Sequence, residues 1–247
     1  MLWRLHMKLL LIRHGDPDYS IDSLTEKGWR EAEMLSERIA PMDIKAYYVS
    51  PLGRARDTAS LTLKKAGRGA EILPWAKEYS TRIPNGNGGT RVPWDMLPEH
   101  WTTIPEYYDK DKWYDVPIMK DAGMEAGLHW VWDGLDELLA RHGYRREGRF
   151  YRAENPNEDT IAIFCHFGVE CVMLAHLLGI APMPFWHGFI AAPTSVTTVC
   201  TEERRDGIAS FRVSSFGDIS HLYLHGEEPA FAGRFCETFA NMEQRHD

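Results

Sequence analysis

Two histidines in this chain each stand just past a short apolar run and close before a glycine: His14 in Leu11-Ile-Arg-His-Gly15 and His166 in Cys165-His-Phe-Gly168. An imidazole placed this way can act as a nucleophile or as an acid–base group. Arg13 adjoins the first histidine, and Arg54 closes Ser50-Pro-Leu-Gly-Arg54 after a third apolar run. Guanidinium forks match phosphoryl oxygens bidentately, so two imidazoles and two guanidiniums in one pocket would make a cationic cluster that a dianionic phosphate relieves. A helix beginning after His166 would add backbone N–H donors. A different chemistry is also written here: His14-x-Asp16-x-Asp18 with His166 could hold a metal, although the two adjoining arginines disfavour a cation. Ser50 lacks a Gly-x-Ser-x-Gly elbow and reads as a turn or cap residue. Arg56 reads as a solvated side chain, and His176, His187 and His225 as core or surface histidines.

The elements that must position these groups follow from hydrophobic patterning. Lys8–Ile12, Ala46–Val49 and Ile161–Cys165 are apolar without alternation, as expected for strands buried on both faces of a parallel sheet. Helical spacing recurs at Gly28, Ala32, Leu35 and Ile39 after the N-cap candidate Thr25, and from about Leu52 to Lys65. It returns at Met124, Leu128, Val131, Leu135 and Leu138, and from about Val169 to Leu178, where Gly179 ends it. Strands alternating with helices predict an α/β fold, a three-layer α/β/α sandwich around a mostly parallel central sheet, with ligands at the strands' carboxyl ends. Ser195–Thr201 and Ile208–Phe216 read as two further strands joined by Arg204-Arg-Asp-Gly207, their orientation left open. From Arg82 to Pro117 the chain is rich in Pro, Gly, Trp and Tyr without a period, which predicts a functional excursion such as a lid. The expected organisation is a single domain over residues 1–247 with an inserted cap over 82–157.

With 247 residues, 44% of them hydrophobic, and a net charge of −8, the composition is that of an ordinary globular chain and argues against nucleic acid as a partner. No apolar run reaches membrane-spanning length, and Met1–His6 is too short and polar for a signal core. The four cysteines (Cys165, Cys171, Cys200, Cys236) form no CxxC pair and read as reduced, mostly buried thiols. A cytoplasmic location with no membrane partner is the expectation.

On Leu11-Ile-Arg-His-Gly15, Leu24-Thr-Glu-Lys-Gly28, Ser50-Pro-Leu-Gly-Arg-Ala-Arg-Asp-Thr-Ala59, Cys165-His-Phe-Gly168 and Asp218-Ile-Ser-His-Leu222, the chain resembles the histidine phosphatases, the phosphoglycerate mutase-like superfamily, branch 1. The resemblance covers residues 7 to about 80 and 160 to 225. It implies a phosphohistidine on His14, with Arg13, Arg54 and His166 holding phosphoryl oxygens and no metal or cofactor required. It places the general acid at Glu78, in Trp75-Ala-Lys-Glu78, with Asp95, Glu99 and Glu106 as rivals. His221 falls in the late motif as a buttress. The implied activity is hydrolysis of a small phosphate monoester, the alternatives being a mutase-like phosphotransferase or a non-catalytic phospho-ligand sensor.

Overall fold

The computed structural model describes residues 6–230, so the remainder of the N-terminal stretch and Cys236 lie outside the described residues. In chain order the main elements are β1 (Lys8–Arg13), α1 (Glu26–Ile39), β2 (Ala46–Val49), α2 (Gly53–Ala66) and β3 (Glu71–Ile72). There follow α3 (Met124–Arg141), β4 (Tyr144–Glu147), β5 (Phe150–Ala153), β6 (Thr160–Cys165) and α4 (Phe167–Leu178). The chain continues through α5 (Met183–Gly188), β7 (Val196–Arg205), β8 (Ile208–Asp218) and α6 (Ser220–Leu224).

The sheet runs β3-β2-β6-β1-β7-β8-β5-β4. It is mixed. Pairings from β3 through β2 and β6 to β1 are parallel, and those from β1 through β7, β8 and β5 to β4 are antiparallel. The parallel half contains the three apolar runs, and the long β7–β8 hairpin continues the sheet from β1 in the opposite sense. The β4–β5 hairpin at the far edge is not foreseen from the sequence.

Period-two alternation along each central strand builds two cores. Leu9 and Leu11 of β1, with Ile161 and Ile163 of β6, face Leu128 and Leu135 of α3 and Val172 of α4. Leu10 and Ile12, with Ala162 and Phe164, face Leu35 and Ile39 of α1 and Ala55 and Ala59 of α2. Strands covered on both faces have no polar side to show, which is why these runs lack alternation. Thr25 caps α1 by accepting the Gly28 N–H at 3.0 Å, and Gly179, with φ of 69°, ends α4 in the left-handed conformation.

Residues 83–121 fold into a short ribbon (Ile83–Pro84 with Thr90–Arg91), single helical turns and two very short helices. Aromatics hold them together. Tyr107 and Trp113 are fully buried, and Trp113 packs edge-on against Trp186 of α5 at 5.5 Å. Among the described residues no helix is long and apolar enough to cross a membrane. Cys165 and Cys171 are buried free thiols, whereas Cys200 is half-exposed.

Candidate active site

β1 ends in Arg13 and hands the chain to His14, whose backbone is clamped from two strands' neighbours. The His14 N–H donates to the Cys165 carbonyl at 3.1 Å, and its carbonyl accepts the Thr194 N–H at 3.1 Å. Thr194 is a buried β-branched residue with φ of 60°, a conformation held only by its surroundings. Its hydroxyl meets buried His221 at 3.0 Å, and His221 lies 3.4 Å from Arg38, which pairs with Asp218. The late motif thus bears on His14 through Thr194. Glycine is required at Gly15 and Gly28 because the two backbones touch: a Cβ on Gly15 would stand 2.8 Å from the Gly28 carbonyl oxygen, and one on Gly28 would stand 2.2 Å from that of Asp16.

The imidazole of His14 has a defined tautomer. Nδ1–H donates to the Gly15 carbonyl at 2.7 Å, so Nε2 carries the lone pair. Arg54, in the first turn of α2, donates to that Nε2 from Nε at 3.3 Å. The Arg54 guanidinium is held by Asp22, whose carboxylate accepts from Nη1 at 2.6 Å and from the Gly53 N–H at 2.7 Å. The His166 ring lies 5.0 Å from that of His14, centroid to centroid. Its Nε2 meets the Ser50 hydroxyl at 2.7 Å, while its Nδ1 is buried without a partner. A serine hydroxyl donating to Nε2 leaves Nδ1–H as a donor for a ligand oxygen. Arg13 donates through Nη1 to the Ala191 carbonyl at 2.5 Å and lies over the Phe167 ring at 5.8 Å.

Burial, and then the neighbouring arginine charges, hold His14 well below the ordinary imidazole range. His166 is held well below it too, by burial first and then by His14, Arg54 and Arg13. Both imidazoles are therefore neutral, and the positive charge of the pocket rests on the guanidiniums. A neutral His14 has its nucleophilic lone pair available at neutral pH.

Glu78 follows the helical turn Pro74–Ala76 and turns back to α4. Its Oε1 accepts the N–H groups of Tyr79 at 2.8 Å and Val169 at 3.1 Å. One backbone donor expected for a ligand is thus engaged by this carboxylate. Burial raises Glu78 above the usual carboxylate range, and the hydrogen bond from the Tyr79 N–H and the charges of Arg13 and Arg54 oppose the rise. Asp95, Glu99 and Glu106 are exposed. Gly168 has no room for a side chain, since a Cβ there would lie 2.7 Å from Glu78 Oε1 and 2.4 Å from the Trp94 indole.

The metal set does not assemble. The Asp16 carboxylate accepts from the Thr25 hydroxyl at 2.7 Å and that of Asp18 from the Ser20 N–H at 3.0 Å. Among the described residues no group of His, Cys, Asp and Glu is arranged to hold an ion. Arg56 is exposed, and His176 pairs with Asp136 at 2.9 Å, away from the pocket.

Sequence reasoning missed Asp22, the Ser50–His166 bond, Thr194 and Glu170. Glu170 had a signal, as the one acid in the otherwise apolar stretch Phe167–Ala175. It is fully buried one turn after His166, and burial raises it to about 7, against the Thr197 hydroxyl and the Arg13 charge. The fold therefore favours its neutral form. That contribution to stability is complete below about pH 4.5 and is lost as pH rises through about 7. Glu170→Gln should gain stability over wild type by up to about 3 kcal/mol at pH 8, with the gain vanishing near pH 4.5. Urea unfolding at the two pH values reads this directly, and a pH-independent difference contradicts it.

With this geometry in hand, the relatives are informative. A family model described as "Histidine phosphatase superfamily (branch 1)" matches residues 9–86. Over those residues the chain is similar to the histidine phosphatase superfamily, branch 1, the phosphoglycerate mutase-like group. Within that group it is similar to a 2,3-bisphosphoglycerate-dependent phosphoglycerate mutase of Thermoplasma acidophilum, at 29% identity over 38% of this chain and 59% of the mutase. It is also similar to a Schizosaccharomyces pombe protein described as a probable phosphatase, at 25% identity over 87% of this chain and 95% of that protein. Among solved structures, phosphoserine phosphatase from Entamoeba histolytica in complex with phosphoserine superposes with a TM-score of 0.57, at 21% identity, covering 87% of this chain and 99% of that one. The neighbours are thus both phosphatases and mutases, and their ligands are small phosphorylated molecules.

Proposed function

We propose that this chain is a phosphatase that hydrolyses a small phosphate monoester through a phosphohistidine on His14. The observation that carries the reading is the neutral His14 tautomer, whose Nε2 lone pair accepts from the Arg54 guanidinium. On substrate entry Arg54 Nε–H turns from His14 to a phosphoryl oxygen, with Asp22 keeping its guanidinium in place. Nε2 then forms the N–P bond as the ester P–O bond breaks, and Glu78 gives its proton to the departing oxygen. The positive charge that develops on the imidazole is met by the Gly15 carbonyl at Nδ1. Arg13, Arg54 and the His166 Nδ1–H stabilise the charge on the phosphoryl oxygens. In the second half, ionised Glu78 takes a proton from water, whose oxygen attacks phosphorus as the N–P bond breaks. Inorganic phosphate leaves and neutral His14 returns.

The similarity to the T. acidophilum mutase favours a second reading, in which the phosphohistidine returns its phosphoryl group to a bound alcohol. The first half-reaction is common to both. The experiment is turnover of p-nitrophenyl phosphate with and without chelator, with acid-labile phosphate mapped on the quenched protein. Chelator-resistant release of inorganic phosphate, with label on His14, is expected. Label without release would favour the mutase, and absence of both would leave a phospho-ligand sensor.

A further inference from the structure

The leaving-group side of the pocket carries an aromatic surface. In an in-line displacement the departing oxygen lies opposite His14 Nε2 and must come within reach of the acid. The carboxylate of Glu78 and the indole of Trp94 rest on the same spot, the Cα of Gly168, where a Cβ would meet both at under 3 Å. Whatever alcohol leaves beside Glu78 therefore leaves beside Trp94. The indole is half-buried. It tilts against Trp186 at 5.6 Å and meets Phe167 edge-on at 6.3 Å. Phe167 in turn lies under the Arg13 guanidinium, so an unbroken aromatic path joins the phosphate-holding arginine to Trp94.

The charge pattern on this side disfavours an anionic alcohol. The ionisable group that shares the Gly168 contact with Trp94 is a carboxyl, Glu78, which offers a leaving-group carboxylate no counter-charge. Arg82 and Arg91 both donate to partners within the aromatic segment. Arg82 donates to the Thr90 hydroxyl at 2.8 Å and carbonyl at 2.7 Å, and Arg91 donates through Nη1 to the Asp95 carbonyl at 3.3 Å.

We propose that Trp94 is the specificity-determining contact for the leaving group, and that the substrates are phosphate monoesters of flat, uncharged alcohols that lie against its indole. This rests on the phosphatase reading. A planar apolar group replaces water on an indole face with favourable contact, whereas a hydroxylated or charged one forfeits its hydration without a partner.

Benzyl phosphate and O-phosphoserine both release an alkyl alcohol whose oxygen needs the proton from Glu78, so their comparison isolates recognition from leaving-group chemistry. Wild type should show kcat/KM at least about tenfold higher for benzyl phosphate. Trp94→Ala should lose about tenfold more on benzyl phosphate than on phosphoserine, chiefly through KM, and Trp94→Phe should restore most of the difference. A wild-type preference for phosphoserine, or equal losses on both esters in Trp94→Ala, would overturn the proposal while leaving His14-dependent turnover of p-nitrophenyl phosphate intact. Absence of that turnover would instead overturn the phosphatase reading and this proposal together.

Discussion

His14→Ala should lower turnover of any phosphate ester by about 10⁴-fold or more, the loss typical when a covalent nucleophile is removed. The variant should still fold. The clamps on residue 14 use its backbone N–H and carbonyl, to Cys165 and from Thr194, and alanine keeps both. The side chain takes away two hydrogen bonds, its own Nδ1–H to the Gly15 carbonyl and the one from Arg54 Nε, and that guanidinium remains anchored to Asp22. Phosphate binding should therefore survive, because Arg13, Arg54 and the His166 Nδ1 remain. Circular dichroism and equilibrium dialysis of inorganic phosphate separate a folded, binding, inactive protein from an unfolded one. Wild-type turnover by the folded variant would remove His14 as the nucleophile.

The second large effect belongs to Glu78→Gln. Glutamine can keep the geometry, since its carbonyl oxygen accepts the same Tyr79 and Val169 N–H groups. What it lacks is the proton. Turnover of an alkyl phosphate, whose leaving oxygen must be protonated, should fall by about 10²- to 10³-fold, while phosphorylation by p-nitrophenyl phosphate should slow far less. The pH profile gives an independent reading. A raised Glu78 acts as an acid only while protonated, so wild-type kcat/KM for alkyl esters should fall as pH rises through its elevated value. That alkaline limb should be missing in the glutamine variant. Equal losses on both ester types, with the limb retained, would place the acid elsewhere.

The central half of the fold is legible in the sequence because β1, β2 and β6 are buried on both faces, and only uninterrupted apolar runs satisfy that environment. The β4–β5 hairpin is illegible for the opposite reason. It sits at the sheet edge, and its arginines pair with neighbours at the surface, Arg152 with Glu147 and Arg145 with Glu154, so its charges hide the pattern. Arg13, His14, Arg54 and His166 could be placed together from sequence because each lies at or just beyond a strand's end, and parallel strands end at one edge. Asp22, Thr194 and the Ser50 hydroxyl could not. Their parts depend on loops meeting across the strand ends, and a lone Asp, Thr or Ser carries no periodic signal for such a meeting.

The position of β1 has a consequence for how the molecule comes into being. Lys8 pairs with Thr160 on one side and with Cys200 on the other, so β1 waits for partners made long after it. Closing loops of about 150 and 190 residues costs chain entropy before any contact repays it, which makes for slow assembly and few productive partial states. No growing chain shorter than about two hundred residues holds both of its neighbouring strands. Because His14 takes its backbone partners from Cys165 and Thr194, its backbone is held at both ends only when that late closure occurs. An incomplete chain would thus carry His14 without the backbone partners that hold it, and if His14 has the proposed role, protection from untimely chemistry would come from topology.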